Sequence, residues 1–246
     1  MGCASKQSQH GFTLVEISIV MIIIGLLIGG TFGGMKLIDN MQVNRTVQDL
    51  KAIESAALTF KDTYGRLPGD IRDPSTRLPN CTAAPCSTAG NGDRQLDVAA
   101  VSRAALADTS ERFTFWHHLA AADLLSVGIK GTTDLSFGEG QPDAPLGGGY
   151  RADKINGQFG GGASYVFRGA VIFNVVEPSA ALNWPTPMII SCPFIASVDR
   201  KMDDGICYNG FVQGWACAAS SGGLGDPLAP YFTTSTGAIV YDLKGI

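Results

Sequence analysis

The sequence predicts an α+β protein in which one long N-terminal α-helix packs on an antiparallel β-sheet head domain. Two observations predict the helix: an apolar run between Phe12 and Met35, and an amphipathic pattern that continues to about residue 63. The third observation predicts the sheet. From Gly161 onward, short apolar segments with period-two patterning are bounded by Gly and Pro, which indicates about four strands.

The apolar run is long enough to cross a bilayer. As a helix, residues 12–35 span about 36 Å at about 1.5 Å per residue. Glu16 is the only charged side chain in this run, and an ionisable residue within a membrane segment usually marks function. A secretory signal cleaved after the run is the alternative, but the run is longer than a typical signal core and the helical pattern continues beyond it.

The helical pattern then becomes amphipathic. Apolar residues recur at three- and four-residue steps and form one stripe, which consists of Val43, Val47, Leu50, Ala57, Phe60 and Tyr64. Gly65 and Pro68 end the helix. The predicted organisation is a leader (1–11), an apolar helix (12–37), the amphipathic half of the same helix (38–64) and a globular α+β head (65–246).

Glycines recur at four-residue spacing in the apolar helix. They form two overlapping rows at Gly25, Gly29, Gly33 and at Gly30, Gly34. Small residues at this spacing allow helices to approach closely in an apolar medium. The sequence therefore favours helix packing here, with local melting of the glycine cluster as the alternative.

Composition excludes some classes of protein. Charged residues make up only 16 % of the chain, and the net charge is −4. The sequence has no basic patch of the kind that binds a phosphate backbone, so we expect no nucleic-acid partner. No Gly-rich phosphate loop and no nucleophile–base set is present, so we expect no enzyme. The adjacent His117 and His118 point to different faces of a helix, which predicts surface or packing roles.

The cysteines predict disulfides in an oxidising compartment, with buried free thiols as the alternative. Their spacing does not fit a structural zinc site. If Cys3 leaves with the leader, five cysteines remain and at least one is unpaired. The candidates are Cys81, Cys86, Cys192, Cys207 and Cys217.

The segment GNGDRQLD has polar residues at alternate positions, from Asn91 to Asp97, and this spacing resembles that of a calcium-binding loop. The segment lacks the EF-hand pattern, because Arg94 replaces the turn glycine and no Glu closes the loop. A solvated turn is favoured for Asn91–Asp97, and a helix-ending turn for Asp203 and Asp204. We therefore expect no cofactor, with structural calcium as the minority alternative.

The N-terminal region resembles the processing site of type IV pilins and type II secretion pseudopilins. The resemblance rests on the tract GFTLVE (residues 11–16), on the apolar stretch and amphipathic extension that follow, and on the helix exit YGRLPGD (residues 64–70). It implies cleavage by a prepilin peptidase after Gly11, N-methylation of the new Phe12 amine, and a role for Glu16 in assembly.

The resemblance also implies partners and a location. The partners are other pilin or pseudopilin subunits, the peptidase and an inner-membrane assembly platform. The location is the inner membrane, as a single-pass protein with its head in the periplasm, and afterwards a filament. The expected function is that of a structural subunit of a type IV pilus or related filament. A pseudopilin of a type II secretion system and a filament-displayed adhesin or minor pilin remain alternatives.

Overall fold

The computed structural model describes residues 12–96, 107, 109–125, 129–130, 132–154, 170–175, 190–207, 209–215, 217 and 236–243. It confirms the α+β class, with a long N-terminal helix, shorter helices and an antiparallel sheet. In chain order the elements are α1 (Leu14–Tyr64), α2 (Pro74–Arg77), α3 (Glu111–Ala121), β1 (Gly149–Lys154), β2 (Ala170–Val175), β3 (Ile190–Ser191), α4 (Cys192–Met202), β4 (Val212–Trp215) and β5 (Thr236–Asp242).

The chain divides into two compact units, Met1–Met41 and Gln42–Ile246. The described part of the first unit is the apolar half of α1. The second unit contains the rest of α1 and all the other elements. The boundaries expected for the leader, the membrane helix and the head stay predictions.

In the second unit, α1 supplies one stripe of the hydrophobic core. The stripe that the sequence predicts is confirmed at its centre, because Val43, Leu50, Ala57 and Phe60 are buried, while Val47 and Tyr64 are half-buried against the same core. Ile53 and Ala56 join them. The helix ends at Tyr64, where Gly65 takes a left-handed backbone (φ +69°) and donates to the carbonyl of Lys61 at 2.8 Å.

The five described strands form one antiparallel sheet around β5. β2 pairs on one flank with β1 and on the other with β5, and β3 and β4 both pair with β5. Two tyrosines connect the sheet to α1: Tyr150 of β1 donates to Asp49 at 3.4 Å, and Tyr241 of β5 donates to Glu54 at 2.7 Å.

Strand β1 is a correction to the sequence analysis, which placed the predicted strands only from Gly161 onward. In its sequence, GYRADK, apolar and polar residues alternate only from Tyr150 to Asp153, yet all six residues are buried. The polar residues are buried because they are paired. Asp153 accepts from Arg112 of α3 at 3.1 Å and lies 3.3 Å from the guanidinium of Arg151. Charged side chains that are buried away from water need partners of opposite charge.

The described cysteines form two disulfides. Cys81 bonds to Cys86, and Cys192 bonds to Cys217. The predicted disulfide bonding is confirmed, and the odd cysteine is Cys207. Its buried thiol donates to the carbonyl of Gly214 at 3.0 Å, and burial raises the pKa of Cys207 to about 12, which keeps the thiol protonated and unreactive.

His118 lies in the interior as a neutral side chain. Its Nδ1 accepts the amide of Gly69 at 2.8 Å, so the proton is on Nε2, which donates to the carbonyl of Cys86 at 2.9 Å. Because the imidazolium would be desolvated, burial lowers the pKa of His118 to about 4. His118 thus joins the exit of α1, the first disulfide loop and α3.

This geometry predicts acid sensitivity. Below an unfolded-state pKa near 6.5 the unfolded chain protonates His118 and the folded chain does not, so stability falls as the pH drops from about 6.5 towards 4. Between pH 7 and 5 we expect a loss of about 2 kcal/mol of unfolding free energy from this residue. The measurement is urea unfolding of the full-length protein in detergent, followed by tryptophan fluorescence.

The control is His118→Gln, which keeps a donor for Cys86 but does not titrate. The difference between the two proteins removes opposing effects, such as that of Asp242, whose pKa burial raises to about 6. Equal pH dependence in both proteins would contradict the assignment.

Candidate functional site

The start of α1 is a capping box. Thr13 precedes the first helical residue, and its hydroxyl accepts the amide of Glu16 at 3.3 Å. In return the Glu16 carboxylate accepts both the amide and the hydroxyl of Thr13, each at 2.8 Å. Two helix-end donors that would otherwise lack partners are satisfied in this way.

The same contacts explain how an acid is accommodated in an apolar segment. Both hydrogen bonds from Thr13 end on one oxygen of Glu16, Oε2. No described residue donates to Oε1. The carboxylate is therefore anchored and oriented at the helix end, where the helix dipole also favours negative charge.

The apolar half of α1 is exposed on all its faces. Large hydrophobic side chains more than two-fifths exposed occur from Phe12, at 84 %, to Met41, at 62 %. Its hydroxyls are satisfied within the helix, because Ser18 donates to the carbonyl of Val15 and Thr31 to that of Ile28, both at 2.8 Å. Such a surface requires lipid or other apolar helices around it.

The predicted glycine rows lie on this surface. The helix passes through them without a break. A Cβ added at Gly25, Gly29, Gly30, Gly33 or Gly34 would meet no atom of the chain within 4 Å. The backbone here is accessible to a second helix, and the role of these glycines in packing stays a prediction.

Within the described residues, one helix, α1, has the length and apolar composition of a membrane span. That finding is compatible with anchoring in a membrane. The predicted cleavage position is partly outside the described residues, since Gly11 precedes them, whereas Phe12 is described and exposed.

Three clusters of metal-ligating residues occur among the described residues, and hydrogen bonds from the protein reach each of them. In the first, Cys81 and Cys86 are disulfide-bonded and both nitrogens of His118 contact backbone. In the second, which includes Asp199, the side chain of Asp203 accepts the amides of Phe211 and Val212, and the side chain of Asp204 accepts from Ile206 and Asn209.

These contacts fit the helix-ending turn that the sequence favours for Asp203 and Asp204, since α4 ends at Met202. The third cluster contains Asp70, Asp93 and Glu111. Asp97, which the sequence analysis placed in the same polar loop as Asp93, lies outside the described residues.

Comparison with known families supports the N-terminal site. The family described as prokaryotic N-terminal methylation motif matches residues 6–32, and this confirms the resemblance to the prepilin-type motif of type IV pilins and pseudopilins. No curated protein and no solved structure matches the chain significantly. The motif indicates a pilin-like or pseudopilin-type subunit, and it implies processing by a prepilin peptidase and assembly with other pilin subunits.

The sequence analysis missed two features of these sites. Thr13 was not recognised as the partner of Glu16, although Thr-x-x-Glu before an apolar run is a recognisable capping signal. Asp70 and Glu111 were not connected with Asp93, because residues 70 and 111 are far apart in sequence and only the fold brings them together.

The capping box leads to a prediction about the first turn of α1. In Thr13→Val the hydroxyl is lost, and we expect the turn to open about 1 kcal/mol more easily. The amide of Ile17, which donates to the carbonyl of Thr13 at 3.3 Å, should then exchange with deuterium about fivefold faster in micelles.

Thr31→Val is the matched control, because the hydroxyl of Thr31 bonds within the helix, to Ile28. It should leave exchange at Ile17 unchanged. Similar acceleration in both variants would show that the hydroxyl of Thr13 has no capping role.

Proposed function

We propose that the protein is a structural subunit of a type IV pilus or related filament, assembled from the inner membrane through α1. The observation that carries the proposal is the combination, at one end of the chain, of the methylation motif with an apolar half-helix that is exposed on all its faces. A soluble domain does not expose an apolar surface of this extent. A helix that moves from the lipid bilayer into a bundle of similar helices is surrounded by apolar groups both before and after the move.

Glu16 has the central role in this proposal. A prepilin peptidase cleaves after Gly11, and the new amine of Phe12 is methylated and positively charged. The capping box holds the Glu16 carboxylate at the helix start with Oε1 open among the described residues. Oε1 accepts a hydrogen bond from the Phe12 ammonium of a neighbouring subunit. In a medium of low dielectric an unpaired charge is costly, so this pair selects the axial register of the subunits.

The glycine rows complete the interface. Where Gly25, Gly29 and Gly33 face a neighbour, the helices approach closely and gain van der Waals contact. The head, which shares its core with the second half of α1, is carried into the periplasm and then along the filament. An inner-membrane assembly platform is the partner that inserts the subunit.

A secretion pseudopilin is the main alternative, and the motif is common to both systems. Surface filaments that disappear on deletion of the gene support a pilus. A secretion defect without surface filaments supports a pseudopilin. Glycan or surface binding by the head would add an adhesive role to either assembly.

The mature N-terminus is the most direct test of the proposal. We expect intact mass and N-terminal sequencing of protein from its native membrane to give Phe12 as the first residue, carrying one added methyl group. The basis is the position of the motif relative to the apolar helix. A first residue downstream of that helix would refute the filament proposal, because the assembly segment would be lost.

Glu16→Val and Glu16→Gln separate charge from capping. Both variants should insert into the membrane, since each removes a charge. Gln retains the capping hydrogen bonds. Loss of one member of a buried charge pair costs about 3–5 kcal/mol, so both variants should enter filaments at least about tenfold less well beside wild-type subunits.

Asp39→Asn is the control, an acid of the same helix outside the motif, and it should assemble at the wild-type level. The readout is the amount of tagged variant in sheared filaments. Normal assembly of Glu16→Gln would leave only the capping function and exclude the charge pair.

A further inference from the structure

Three carboxylates from separate segments of the chain meet in the second unit. Asp70 follows the exit of α1, Asp93 lies in the chain between α2 and α3, and Glu111 is the first residue of α3. One carboxylate oxygen of each lies within 4.8 Å of the others. Oxygens that share one calcium ion, at about 2.3–2.6 Å from it, lie within about 5 Å of one another, so the spacing fits a single cation.

Asp70 is the independent observation that points to a ligand. Its side chain is fully buried. Oδ2 accepts the amide of Arg94 at 2.7 Å, but Oδ1 has no hydrogen-bond donor among the described residues. A buried carboxylate oxygen without a donor is costly.

Arg66 compensates the charge of Asp70 only in part. Its guanidinium forms an ion pair with Asp70 at 4.0 Å. The same guanidinium donates to the carbonyl of Gly92 at 2.5 Å. Because the contact with Asp70 is long and the guanidinium is shared with a backbone carbonyl, the charge of Asp70 is only weakly compensated.

The loop is held firmly against Asp70. The amide of Asn91 donates to Glu111 at 2.6 Å, and the amide of Gly90 donates to the carbonyl of Ile71 at 2.7 Å. A Cβ at Gly90 would lie only 2.6 Å from the Cα of Asp70, so the approach requires glycine. The three carboxylates are therefore positioned by backbone contacts.

We propose that Asp70, Asp93 and Glu111 form a calcium site that ties the exit of α1 to the start of α3. The donors are all carboxylate oxygens, which hard divalent cations prefer, and no His or Cys belongs to the cluster. The site departs from the solvated turn favoured for Asn91–Asp97 because its ligands come from three segments rather than one loop. Water completes the coordination through the exposed side of Asp93.

The test is calcium titration of the full-length protein in detergent after removal of metal with a chelator. Isothermal titration calorimetry with calcium chloride should give one ion per chain, and calcium should raise the unfolding temperature, because an ion that binds the folded state stabilises it. Absence of binding up to about 1 mM calcium, the weak limit for extracellular sites, would overturn the proposal.

Asp93→Asn tests the location of the site, because Asp93 is exposed and Asn can still accept the amide of Gln95. We expect at least a tenfold loss of calcium affinity and of the calcium-dependent rise in unfolding temperature. Asp73→Asn is the matched control, an exposed acid outside the cluster, and it should bind as the wild type does. Equal binding by wild type and Asp93→Asn would place the ion elsewhere and overturn the proposal.

The Asp70→Asn variant should no longer bind calcium. If this variant does not fold, the Asp93→Asn variant alone tests the location of the site. Titration with magnesium chloride should give weaker binding than with calcium, since magnesium demands a more regular octahedron. Equal or tighter magnesium binding would overturn the assignment to calcium.

Discussion

The burial of one stripe of α1 in the second unit is the constraint around which the rest of the structure is arranged. Leu50 and Phe60 are wholly buried there, and sheet tyrosines reach back to Asp49 and Glu54 on the same helix. The first half of α1 has the opposite property, with apolar side chains exposed from Phe12 to Met41. The second half of α1 thus packs in the hydrophobic core of its own chain. The first half requires an apolar partner from outside the chain.

Three acids show different solutions to the cost of removing charge from water. Glu16 is satisfied by donors at its own helix end. Asp153 is buried between two guanidiniums, and burial still raises its pKa. Asp70 accepts the amide of Arg94 through Oδ2 and retains Oδ1 without a donor among the described residues. The first arrangement fits a segment that changes surroundings, the second fixes a core, and the third fits an external cation.

The spacing of apolar residues along the sequence was sufficient to predict α1, its buried stripe and its end, because this spacing and a helix-ending glycine are local signals. It was not sufficient for β1. The strand sequence GYRADK looks exposed, and its burial depends on Arg112, a residue of another element. The same limit applies to the acidic cluster, since no local pattern connects Asp70 with Glu111. Contacts between distant segments determine both features.

The position of β5 has a consequence for biogenesis. β3 and β4 each pair only with β5 among the described strands, and β5 is the last of these to be synthesised. Neither strand completes its ladder until residues 236–242 arrive. Pairing over such sequence separations is slow, so the sheet closes late, after β5 has been synthesised.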